Sequence, residues 1–98
     1  MNGMNPPDQF DHAGIRLVLT CGACPEQYDA TDQQGRQVGY LRLRHGGFSV
    51  ECPGCRGDLV YTAEPRGDGE FYDDEREQHL RAACEAIARW VAEKGETA

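Results

Sequence analysis

The chain has 98 residues, 39% of them hydrophobic, and sets 17 acidic side chains against 10 basic ones for a net charge of −7. That is the size of one small domain with a modest core, for which a metal or a partner is a reasonable aid to folding. No run approaches the roughly 18 apolar residues of a membrane span; the first 11 residues lack the basic start and apolar stretch of a signal peptide; and the surplus of acids disfavours general binding to phosphate backbones.

Residues 1–12, with Pro6 and Pro7, read as a flexible leader. Ile15 to Thr20 sets Ile15, Leu17 and Leu19 against Arg16, Val18 and Thr20, which predicts a strand. A tight turn, Cys21-Gly22-Ala23-Cys24-Pro25, follows, then a short strand over Gln27 to Thr31. Asp32 to Gly35 reads as a turn, with Gly35 free to take a positive φ. Val38 to Arg44 is the clearest strand, with Leu41 and Leu43 on one side and Tyr40, Arg42 and Arg44 on the other. His45-Gly46-Gly47 predicts a hairpin turn, and Phe48 to Cys52 the returning strand. Pro53 to Gly57 makes a second tight turn, Leu59 to Ala63 a further strand, and Pro65 to Gly69 a loop.

The last segment predicts a helix. Leu80, Ala83, Cys84, Ile87 and Val91 form one apolar stripe, with Trp90 beside it. Asp74 and Glu77 have the spacing of a capping box, and Gly95 is a stop signal. A small buried thiol is the expectation for Cys84. These elements add up to an α+β domain over residues 13–95, an antiparallel meander with one C-terminal helix packed on the sheet, and a tail over 96–98.

Four cysteines form two pairs, Cys21-x-x-Cys24 and Cys52-x-x-Cys55. A Cys-x-x-Cys turn aims two sulfurs at one ion, and two such turns supply the four thiolates of a tetrahedral Zn2+ site. Backbone N–H groups in such turns also donate to the sulfurs and favour the thiolate. The run from Cys21 to Cys55, with its Cys-Pro-x-Cys-x-Gly second turn, resembles zinc-ribbon (rubredoxin-knuckle) modules, and the run from Cys21 to Phe48, with Val38-Gly39-Tyr40-Leu41-Arg42-Leu43-Arg44-His45-Gly46, resembles small uncharacterised phage and actinobacterial proteins. The resemblance implies a structural Zn2+ on Cys21, Cys24, Cys52 and Cys55, with both turns as zinc knuckles. The spacer between the pairs is longer than the roughly 15–20 residues of the simple pattern, because an extra hairpin fills it. Iron uses the same four ligands, and thiol or disulfide chemistry is a third reading. Four protein ligands leave no open position for a substrate, so the metal reading is structural and not catalytic.

The acidity is local. Residues 64–77 hold seven acids and two arginines, whereas residues 78–98 balance three acids with three bases. Glu70, Asp73 and Asp74 in this stretch are candidate contacts for a basic surface, against the plain alternative of a solvated face. Glu64 to Glu75 has the outline of a calcium loop, but Arg66 stands where an oxygen ligand is required. His12, His45, His79 and Ser49 are too scattered for a catalytic triad. Tyr40, Arg42 and Arg44 combine the residue types that hold single-stranded nucleic acid on sheet platforms and those enriched in protein interfaces; cross-strand pairing with acids such as Glu51 or Glu26 is the structural alternative.

The reading is a cytoplasmic, non-enzymatic zinc-binding module for protein–protein contact, with an accessory or inhibitory role, phage-encoded and directed at a nucleic-acid-handling protein, as one setting. Tyr40, Arg42, Arg44, Glu70, Asp73 and Asp74 are its expected partner contacts. A nucleic-acid-associated ribbon using the arginine hairpin, and a Cys-x-x-Cys thiol oxidoreductase, are the alternatives.

Overall fold

The computed structural model describes residues 8–23 and 25–96, the last two by their backbone only. Six strands follow one another along the chain: β1 (Gln9–His12), β2 (Ile15–Gly22), β3 (Glu26–Thr31), β4 (Gln37–Arg44), β5 (Gly47–Cys52) and β6 (Asp58–Ala63). They form one antiparallel sheet in the order β1-β2-β3-β4-β5-β6, and a single helix, α1 (Asp73–Glu96), packs on it. The α+β meander with one C-terminal helix is thus the architecture of the chain.

Alternation explains which face is covered. Leu17 of β2, Tyr28 and Ala30 of β3, Leu41 and Leu43 of β4, and Phe48 and Val50 of β5 are buried, while their neighbours in sequence are at most half-buried. The helix answers with Leu80, Ala83, Cys84 and Ile87, all fully buried, and Val91 and Trp90 pack at the margin. Each large apolar side chain buried this way contributes about 1.5–3 kcal/mol. At Gly39 the helix lies close against the sheet. A Cβ there would stand 2.8 Å from Ile87 Cδ1 and 3.2 Å from Ala30 Cβ.

Several boundaries differ from the sequence reading: β2 runs on through Cys21 to Gly22, and α1 runs past the expected stop at Gly95 to Glu96. Residues 9–12, assigned there to the leader, form β1, in which Phe10 stands opposite Leu17. The β4–β5 turn is His45-Gly46, with φ of 55° and 75°, while Gly47 already pairs with Arg44. Two consecutive positive φ values make the two-residue hairpin whose twist matches the strands. The helix begins at Asp73, and its reciprocal cap comes from Glu75, not Glu77. The Glu75 carboxylate accepts from Tyr72 N at 3.0 Å, and also from Arg66 N and Gly67 N at 2.9 Å each. Glu77 instead accepts from Arg81 Nε at 2.8 Å.

A buried polar network locks the start of the helix to the sheet. Glu26 is fully buried, and Arg76 nearly so. Arg76 Nε donates to Glu26 Oε2 at 2.9 Å and Nη2 to Oε1 at 3.2 Å. Tyr28 donates its hydroxyl to Glu26 at 2.5 Å, and Phe71 N donates at 3.0 Å. Arg76 spends its remaining donors on Phe71 O and on Asp73. Burial, together with the Glu26 carboxylate, raises the Tyr28 phenol far above its ordinary range. Burial opposes the charge on Arg76, but its bonds to Glu26 and Asp73 outweigh that and hold the guanidinium protonated.

Candidate functional site

The helix covers one face of the sheet, and the other face carries the side chains that alternation turns away from the core. Register aligns them in rows. One row crosses all six strands as Gln9, Val18, Asp29, Tyr40, Glu51 and Leu59. The next runs Cys21, Gln27, Arg42, Ser49 and Thr62. Tyr40, Arg42 and Arg44 therefore lie along the middle of the uncovered face, as the alternation of their strand predicts.

Tyr40 is anchored there: its hydroxyl donates to Gln27 Oε1 at 2.5 Å. Burial raises the Tyr40 phenol, the charge of Arg42 opposes the rise, and Cys55, Asp29 and Glu51 add to it. Arg42 and Arg44 form no ion pair with any described residue, whereas Arg16 on the same face is held by Asp11 at 3.0 Å. The acids named as cross-strand partners are engaged elsewhere, for Glu51 accepts from Arg56 N at 3.1 Å and Glu26 is inside the core. Val18 and Leu59, 40% and 60% exposed, give this face apolar flanks. Neither was singled out from the sequence. The signal was present in the alternation of Ile15 to Thr20, but Leu59 stands where a bulge between β5 and β6 breaks the period.

Of the seven acids in 64–77, Glu64, Asp68, Glu70, Asp74 and Glu77 are exposed, Asp73 is half-buried and Glu75 is buried. Asp73 accepts from Arg76 Nη1 at 2.9 Å, Asp74 pairs with Arg66, and Glu75 is buried as the helix cap. Glu70 lies 3.9 Å from Arg76 with about half its side chain exposed. Asp73 and Asp74 thus have partners within the chain, because an acidic first turn sits beside the two arginines that bind it and beside the positive end of the helix.

Among the described cysteines, Cys21 is not brought to Cys52 or Cys55. Cys21 is the last residue but one of β2, half-buried, beside the β2–β3 turn; Cys24 lies outside the described residues. Cys52 is fully buried at the far end of β5, and Cys55 is exposed in the β5–β6 turn. Successive turns of a meander alternate between the two ends of the sheet, so these two turns stand at opposite ends. Three strand spacings of about 4.8 Å and three residues of about 3.3 Å part Cys21 from Cys52, about 17 Å in all. Sulfurs sharing one Zn2+ with bonds of about 2.3 Å lie less than about 4 Å apart. At that separation Cys21 and Cys52 are not placed to share one ion, and no group of three or more metal-ligating side chains forms among the described residues.

Cys84 is fully buried in the helix stripe, as expected. Burial pushes the Cys52 thiol up to about 11 and the Cys84 thiol up to about 12, with nearby carboxylates adding to both. Such thiols stay neutral at neutral pH, which is the opposite of an activated nucleophile.

The histidines are also apart. His12 bonds Glu85 through Nε2 at 2.9 Å and faces Arg81 through Nδ1 at 3.3 Å. His45 is in the β4–β5 turn, and His79 stacks on Phe71 with centroids 5.2 Å apart. No known family, curated protein or solved structure matches the chain. None of the described helices is long and apolar enough to cross a membrane.

Proposed function

We propose that this chain is a non-catalytic binding module that engages an acidic surface of a partner protein through the helix-free face of its sheet. The observation that carries this reading is Arg42 and Arg44, two cations without an ion pair among the described residues, set beside an anchored Tyr40 in the middle of an uncovered sheet. In a chain of net charge −7, two neighbouring strand arginines outside any ion pair among the described residues remain to be met by an acidic partner. Tyrosine and arginine are the side chains that most often carry interface energy, and the apolar flanks Val18 and Leu59 widen the surface that a partner would dehydrate.

The reading as a non-enzyme rests on the scatter of the reactive groups: His12 is in β1, His45 in the β4–β5 turn and His79 against Phe71, while Cys21 and Ser49 share the open face but stand three strands apart. The test is cross-linking of the chain to its partners in cell extract, with Arg42→Glu plus Arg44→Glu beside Arg89→Glu on the helix. Loss of an adduct with an acidic protein in the first variant and its retention in the second is the expected result. Retention in both overturns the reading. The same arginine and tyrosine face favours single-stranded nucleic acid as a second reading. Salt-dependent binding of an oligonucleotide that disappears in the double variant would transfer the face to that ligand.

A further inference from the structure

We infer that the two Cys-x-x-Cys pairs do not share an ion and that the chain folds without a metal: Cys52 and Cys84 are core residues, while Cys21 and Cys55 are separate thiols at opposite ends of the sheet. The argument is one of parity. Each strand of an up-and-down meander carries the chain from one end of the sheet to the other, so two turns meet at one end only when an even number of strands separates them. Three strands, β3, β4 and β5, separate the Cys21 turn from the Cys52 turn.

Faces separate them as well. Cys21 stands in register with Gln27 and Arg42 on the uncovered side, whereas Cys52 continues the inward series of Phe48 and Val50 beneath the helix. The second pair is itself divided between the interior and the surface, for Cys52 is 0% exposed and Cys55 is exposed. Bringing Cys52 to Cys21 would require β5 to leave its pairing with both β4 and β6. Cys52 and Cys84 both belong to one continuous cluster of fifteen buried residues, so neither is presented to an ion at the surface.

Three measurements on the full chain, prepared reduced and without added zinc, test this. Metal analysis should find well under one equivalent of zinc or iron. Iodoacetamide labelling mapped by mass spectrometry should modify Cys55 first and Cys21 next, and should reach Cys52 and Cys84 only on unfolding, with no change when a chelator is present. Cys21→Ser and Cys55→Ser should leave the melting temperature unchanged, while Cys52→Ser should lower it by about 5 °C or more, since a hydroxyl would be buried there without a partner. Cys52→Ala, which removes a ligand equally well but buries no polar group, should melt closer to the wild type than Cys52→Ser does. One equivalent of bound metal, labelling of Cys21 and Cys55 that begins only after chelation, or equal destabilisation by the Cys21, Cys52 and Cys55 variants would each overturn the inference. The labelling pattern of the wild-type chain decides the matter even if Cys52→Ser fails to fold.

Discussion

The two faces of the sheet use arginine in opposite ways. Under the helix, Arg76 is 6% exposed and every part of its guanidinium is spent on Glu26, Asp73 and Phe71 O. On the far side Arg42 and Arg44 meet no described acid. The first is committed to the fold. A buried ion pair tolerates the loss of neither member, because the survivor keeps its desolvation penalty and loses its compensation. The second pair of arginines can be altered without touching the core. Residues of one type, in one short chain, are thus divided by burial into structure and surface.

The sharpest way to break this contrast is to remove the inner arginine. Arg76→Ala should destabilise the chain by about 3–5 kcal/mol in urea unfolding, because Glu26 would be left buried without its cation. A smaller loss, with Glu26 still buried, would mean that the network is less closed than its geometry indicates.

The next effect probes the closeness of helix and sheet on the same face. Gly39→Ala should cost about 1–3 kcal/mol, the usual penalty of overpacking. The same change on an Ile87→Val background should cost less, since valine lacks the Cδ1 atom that stands 2.8 Å from the added Cβ.

A pH titration separates the capped helix start from the rest. Burial disfavours the charge on Glu75, but the N–H groups of Arg66, Tyr72 and Gly67 and the Arg66 charge hold its carboxyl below the ordinary 4.5. Its ionised form therefore stabilises the fold above the ordinary value, and that stability is lost as the pH falls through the lowered one. Unfolding free energies measured from roughly pH 5 down to pH 3 should drop in the wild type and drop less in Glu75→Gln, which should already be weaker by about 1 kcal/mol at pH 7.

The smallest expected change is on the open face. Arg42→Glu plus Arg44→Glu should alter stability by no more than about 0.5 kcal/mol while abolishing the proposed partner contact. A large loss of stability would place these arginines with Arg76 and erase the distinction between the faces.

Much of the architecture was legible before folding. Period-two alternation marks the strand at Val38 to Arg44 and sorts Tyr40, Arg42 and Arg44 from Leu41 and Leu43. The i, i+3, i+4 stripe marks the helix and the buried place of Cys84. β1 escaped notice because four residues, Gln9 to His12, show one apolar side chain and so hardly any period. The Glu26–Arg76 pair left no trace either, for its members lie fifty positions apart and either would pass for a surface charge. Most acids of 64–77 are exposed, as their count suggests, but the sequence does not show that Asp73, Asp74 and Glu75 bind arginines and backbone N–H groups that only the folded chain brings near.

Alone, the sequence determined what is local: where strands and helix run, which side of each is apolar, and where the chain turns. Those properties follow from side-chain period and backbone preference over a few residues. Only the tertiary structure decided which turns become neighbours. That depends on how many strands intervene and which way each one points, and a motif of cysteine spacings records the length of chain between two turns but not the direction in which they face.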